Sequence, residues 1–155
     1  MSDLVIDSSV AAKWILPEPD SARAQQLVVD ASASGSRLVV LDLAFPEVAN
    51  AIWKRYRQKI ITADEARQLL DALLRAPVSV ESAWGLLPAA LKIAVKYDRS
   101  VYDALFVALS RELKTAGVTA DEPLYNVVKA DFPEIKLLRD LQREPQIRPG
   151  EKEPE

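Results

Sequence analysis

The sequence predicts an α/β fold, a three-layer α/β/α sandwich around a mostly parallel sheet. Three observations carry this. Short apolar strand patterns alternate with longer segments of helical periodicity along the chain. Leu38-Val-Val-Leu41 is a continuous apolar run of the kind found in a sheet buried on both faces. Finally, Asp7, Glu47, Asp103 and Asp121 each stand where an element begins or ends, as acids meeting at one sheet edge would.

Leu4-Val-Ile6 reads as the first strand, and Ser8 or Ser9 is placed to cap a short helix that Pro17 ends. Asp20 to Ser34 reads as a second helix, with Ala22, Leu27 and Val28 among its apolar positions and Gly35 as its stop. After the strand at 38–41, Phe45, Val48, Ala49, Ile52, Trp53 and Tyr56 recur at helical spacing, in a helix expected to begin near Pro46. Thr62-Ala-Asp-Glu65 is a capping box for a helix running to about Ala76. Val78-Ser-Val80 makes a short strand, and Trp84 to Lys96 a helix with Pro88 in its tolerant first turn. Ser100 opens the most buried helix, because 104–109 is apolar at every position. Thr115 to Thr119 is a strand weakened by Gly117, Asp121-Glu-Pro-Leu124 starts a short helix, and Ile135 to Leu138 supplies a last strand.

At 155 residues the chain has room for one domain, placed at 1–142. The segment 143–155 holds three prolines, one glycine and seven charges, which predicts a flexible or partner-bound tail. A hydrophobic fraction of 49% with 28% charged residues is that of a soluble globular protein. No apolar run approaches the roughly 20 residues of a bilayer span, and the N-terminus lacks a basic stretch followed by an apolar signal segment. A cytoplasmic location away from membranes is therefore expected. The net charge of −3 argues against a nucleic-acid partner at first sight. Acids gathered at a metal site depress that total while basic residues elsewhere still meet phosphate, so charge leaves the partner open.

The chain has no histidine and no cysteine, which excludes an imidazole base, a thiolate nucleophile and a His/Cys zinc site. Carboxylates remain. In a parallel α/β sheet the functional crevice lies beyond the carboxyl ends of the strands, where Asp7, Glu47 and Asp121 are predicted to fall. Singly, each acid has an ordinary reading: Asp7 as a helix cap, Glu47 as a complement to the helix dipole, Asp121 as a cap before Pro123, Asp103 as capping-box partner of Ser100. Four such groups converging on one edge repel one another unless a cation compensates them. Oxygen donors suit Mg²⁺ or Mn²⁺, and such an ion polarises a phosphodiester and acidifies a bound water.

Four ordered blocks carry a resemblance: Leu4-Val-Ile-Asp7-Ser-Ser9 running on to Glu18, Pro46-Glu47-Val-Ala-Asn50-Ala-Ile-Trp-Lys54, Val101-Tyr-Asp103-Ala-Leu-Phe-Val-Ala-Leu109 and Val118-Thr-Ala-Asp121. From about Leu4 to Leu138 the chain resembles PIN-domain ribonucleases, particularly VapC-type toxins of toxin–antitoxin pairs. The resemblance implies metal-dependent cleavage of RNA, a homodimer, and a small antitoxin that fills the active-site groove. It aligns Asp7, Glu47, Asp103 and Asp121 with the family's acidic quartet and Ser9 with its small hydroxyl position. Asp7 and Asp103 are then the most direct ligands of Mg²⁺ or Mn²⁺, with Glu47 and Asp121 completing the site. Gly117 replaces the family's usual apolar strand residue, which predicts a locally distorted strand, and Asp98 is an extra acid without a counterpart.

Lys13, Arg55, Arg57, Lys96 and Arg99 are candidate phosphate contacts, although solvated surface charge is the commoner role for such residues. Trp14 and Trp53 sit on apolar helical faces and are expected in the core. Two other functions compete with nuclease activity. One is a non-catalytic module of the same fold acting through a protein partner. The other is a phosphoacceptor receiver domain, which pairs two acids at its first strand end, where this chain has Ser8 and Ser9 after Asp7.

Overall fold

The structure is a computed structural model and describes residues 3–141. Five strands form its sheet: β1 (Leu4–Ile6), β2 (Leu38–Leu41), β3 (Val78–Glu81), β4 (Ala116–Thr119) and β5 (Ile135–Leu137). All neighbouring pairs are parallel, in the order β3-β2-β1-β4-β5. The helices are α1 (Ser8–Ile15), α2 (Ser21–Ser34), α3 (Ala44–Arg57), α4 (Ala63–Leu74), α5 (Leu87–Tyr97), α6 (Val101–Leu113) and α7 (Glu122–Val128), with single 3₁₀ turns at Trp84–Leu86 and Leu138–Asp140.

The alternation of strand side chains builds three layers. Val5 and Val39 face a core shared with Ala90, Ala94 and most of α6, whereas Ile6, Val40 and Val118 face one shared with Val10, Ala24, Val48 and Leu73. Helices α5, α6 and α7 thus cover one face and α1 to α4 the other. Val107 and Leu109 of α6 are both buried, as a helix apolar all round requires. Successive connections build outward from β1 through β2 to β3 on one side, then cross to β4 and β5 on the other. The carboxyl ends of β1 and β4 therefore flank the switch point where a crevice opens.

Several boundaries depart from the sequence reading. The cap of α1 is Asp7 rather than Ser8 or Ser9, because its carboxylate accepts the Ser8 backbone N–H. Helix α3 starts at Ala44, two residues before Pro46, and the expected helix at 84–96 opens with a 3₁₀ turn that places Pro88 near the start of α5. Ser100 accepts the Asp103 N–H, but the Asp103 carboxylate turns to Arg99, so only half of that capping box forms. Asp98 adopts φ 53° as the left-handed residue ending α5, which accounts for the extra acid. Trp14 packs in the core with its indole N–H on the Ala24 carbonyl, while Trp53 is half exposed under the Arg57 guanidinium. The charged segment 143–155 lies outside the described residues.

Candidate active site

Asp7 is delivered by β1 to the switch point, and its backbone N–H extends the pairing by donating to the Val118 carbonyl at 3.0 Å. Its carboxylate is held on three sides. Oδ1 accepts from Ser8 N at 3.0 Å, and Oδ2 accepts from Ser9 Oγ at 2.7 Å and Thr119 Oγ1 at 2.8 Å. Both hydroxyls are themselves oriented, since Ser9 Oγ accepts from Ala120 N and Thr119 Oγ1 from Asp121 N, each at 3.0 Å. One network therefore ties the ends of β1 and β4 around Asp7.

Burial pushes the Asp7 carboxyl up to about 6; the Ser9 and Thr119 hydrogen bonds oppose the rise, and the charges of Glu47 and Asp103 add to it. Glu47, carried in by the first turn of α3, shares a small recess with Asp7, Ser8, Ala44 and Tyr102. Ser8 Oγ donates to Glu47 Oε2 at 2.9 Å. Burial raises the Glu47 carboxyl as well, against the Ser8 bond, with a further upward push from Asp103.

Asp103 and Asp121 form the other half. Arg99 Nη2 donates to Asp103 Oδ2 at 2.9 Å and to Asp121 Oδ2 at 3.5 Å, while Asp121 Oδ1 accepts from Leu124 N at 3.0 Å as the cap of α7. The fold thus gathers the whole predicted quartet and Ser9 at one edge, as two pairs joined by mutual repulsion. Among the described residues no three acids already converge as a cage for an ion. The donor set still fits one: every group is a hard oxygen, and among the described residues no cation pairs with the buried Asp7 carboxylate. Asp7, Glu47, Asp103 and Asp121 are the residues that would hold it.

Of the candidate phosphate contacts, Lys13 and Arg55 are absorbed by Glu18 at 3.2 and 3.3 Å, and Lys96 lies 3.5 Å from Asp131. Arg57 lies over the Trp53 ring, and Arg99 is the one of the five that contacts the quartet among the described residues. Sequence reasoning passed over Thr119, Ser8 and the bridging role of Arg99. Thr119, a hydroxyl ending a buried parallel strand, was the one with a readable signal.

The PIN domain family model matches residues 4–130. Ribonuclease VapC3 of Pyrobaculum aerophilum is 36% identical over 123 residues, covering 78% of this chain and 91% of that protein. Ribonuclease VapC9 of Mycobacterium tuberculosis is 29% identical, covering 84% and 94%. Among solved structures, one Pyrobaculum aerophilum protein superposes with a TM-score of 0.65 at 21% identity, covering 81% of this chain and 79% of that one. The sarcin–ricin-loop-cleaving toxin VapC20 of Mycobacterium tuberculosis superposes at 0.63 with 18% identity, covering 86% and 99%.

Proposed function

This chain belongs to the PIN-domain family, and we propose that it is an endoribonuclease of the VapC toxin type that hydrolyses RNA phosphodiesters with Mg²⁺ or Mn²⁺. The observation that carries the reading is the placement of Asp7, Glu47, Asp103 and Asp121 around the β1/β4 switch point, with Ser9 and Thr119 fixing the Asp7 carboxylate. A bound divalent ion supplies an activated water and neutralises charge developing on the phosphate. The chain's own part is orientation. Ser9 and Thr119 lock the Asp7 oxygens, Ser8 aims Glu47, and the caps of α6 and α7 fix the backbones that carry Asp103 and Asp121.

The name ribonuclease carried by the relatives supports RNA as substrate, and the resemblance to toxins of toxin–antitoxin pairs implies a small antitoxin as partner. A homodimer is supported by an uncovered apolar stripe on α5. No described helix is long and apolar enough to cross a membrane, and the proposed location is the cytoplasm.

The test is cleavage of RNA by purified protein. Activity should require Mg²⁺ or Mn²⁺, stop with EDTA, and fall more than about 100-fold in Asp7→Asn or Asp103→Asn, beyond the usual loss from an outer-shell partner. Cleavage that persists through EDTA and both substitutions refutes the reading. Metal binding without cleavage of varied RNAs would favour the non-catalytic module instead.

A further inference from the structure

Arg99 is fastened between two helix ends. Asp98 before it closes α5 in the left-handed conformation, Arg99 N donates to the Ala94 carbonyl at 3.2 Å, and Ser100 after it caps α6. The backbone is therefore fixed, while the side chain, a quarter exposed, spans Asp103 and Asp121. The grip is poor by this protein's own standard. Arg139 meets the two Glu122 oxygens with two nitrogens at 2.9 and 2.7 Å, the fork geometry that suits guanidinium to carboxylate, and Arg37 puts two nitrogens on Asp3 Oδ2 at 3.0 and 2.9 Å. Arg99 reaches both its acids through Nη2 alone, one of them at 3.5 Å, and its buried Nε has no hydrogen-bond partner among the described residues. An orphaned buried donor is costly, so this pose is held by the two negative charges rather than by fit.

We propose that Arg99 is a resident counter-cation, a positioning residue that holds Asp103 and Asp121 until a divalent ion displaces its guanidinium, and that it thereby sets the metal affinity of the site. The proposal rests on the reading of the quartet as a metal site. It also explains why four acids gather without closing into a cage: one side of the ring is already tied to a cation of the chain itself.

The experiment is calorimetric titration of Mn²⁺ into the full-length, metal-free protein at pH 7.5, comparing wild type with Arg99→Met and Arg99→Lys. Arg99→Met, which keeps the stem and removes the charge, should bind Mn²⁺ at least tenfold more tightly. Arg99→Lys should stay within about threefold of wild type. Independently of any variant, Mg²⁺ titrated into wild type should shift the Arg99 Nε–Hε resonance as the side chain leaves the acids. Mn²⁺ binding by wild type that is equal or weaker in Arg99→Met, or an Arg99 resonance unmoved at Mg²⁺ saturation, overturns this proposal alone. Absence of Mn²⁺ binding by all three proteins removes the metal-site reading together with it.

Discussion

The Asp7 carboxylate has two roles that pull its energetics in opposite directions. As cap of α1 and acceptor for two hydroxyls it stabilises the fold, yet as a buried charge near Glu47 and Asp103 it destabilises the metal-free state. Because its folded pKa is raised from 3.8 to about 6, the folded state holds the proton more tightly than the unfolded chain. The associated stabilisation is complete below about pH 4 and is lost as pH climbs through 6, a swing of no more than about 3 kcal/mol. Asp7→Asn keeps the cap but cannot ionise, at the cost of weakened bonds from Ser9 and Thr119. Its metal-free stability relative to wild type should therefore rise between about pH 4 and 6.5, measured by urea denaturation in EDTA. A difference that stays flat with pH would show the charge to be unstrained. Asp7→Ala loses the cap and leaves three donors without their acceptor, and should destabilise by about 1–3 kcal/mol below about pH 4, a deficit that shrinks as pH rises through 6 because alanine carries no buried charge. The acids were legible in the sequence because each stands next to a strand or helix boundary. Thr119 and the Arg99 bridge were not, since their partners lie 112 and 22 residues away and depend on strand order.

Strand β4 carries Thr119 and Asp121 into place, and the reason for its glycine lies outside the strand. A Cβ on Gly117 would stand 2.9 Å from Phe106 Cζ, 3.0 Å from Ser110 Oγ and 3.1 Å from Ile135 Cδ1. Gly117 pairs in regular register with Val5, and Gly117 N donates to the Glu134 carbonyl, so the distortion expected from the sequence is absent. What reads locally as a weak strand residue is a close approach of α6 to the sheet, set by residues in α6 and β5 that strand periodicity does not register. Gly117→Ala gains up to about 1 kcal/mol by restricting the unfolded chain, but overpacking costs about 1–3 kcal/mol, so the variant should be less stable by thermal denaturation. Because the tightest of these contacts is with the Phe106 ring, Phe106→Leu should offset part of the loss in the double mutant rather than add its full cost. Simple additivity would show that the Phe106 ring is not the source of the loss.

At the scale of the molecule, the periodicity of apolar residues was enough to read the layered architecture, but not which helix faces the architecture leaves uncovered. Helix α5 is apolar on both sides. Ala90 and Ala94 are fully or nearly buried, whereas Leu91 and Val95 are 57% and 77% exposed, Trp84 in the preceding 3₁₀ turn is 82% exposed, and Val80 on the edge strand β3 lies half exposed. Sequence patterning assigns such a helix to the interior and cannot divide its contacts between the chain's own core and a second molecule. An edge strand and an apolar stripe left open invite association, and a second copy of the chain offers the same stripe in return, as a two-fold interface requires. Leu91→Glu combined with Val95→Lys should convert the proposed homodimer to monomer by light scattering. The metal-free unfolding free energy of the monomer should stay within about 0.5 kcal/mol of that expected for surface changes, because neither side chain supports the core. RNA cleavage per chain should persist in the monomer, since all four acids come from one chain and lie on the carboxyl edge of the sheet rather than on α5. Monomeric wild type at micromolar concentration would assign the stripe to another partner, and loss of cleavage on dissociation would mean that the dimer completes the RNA path.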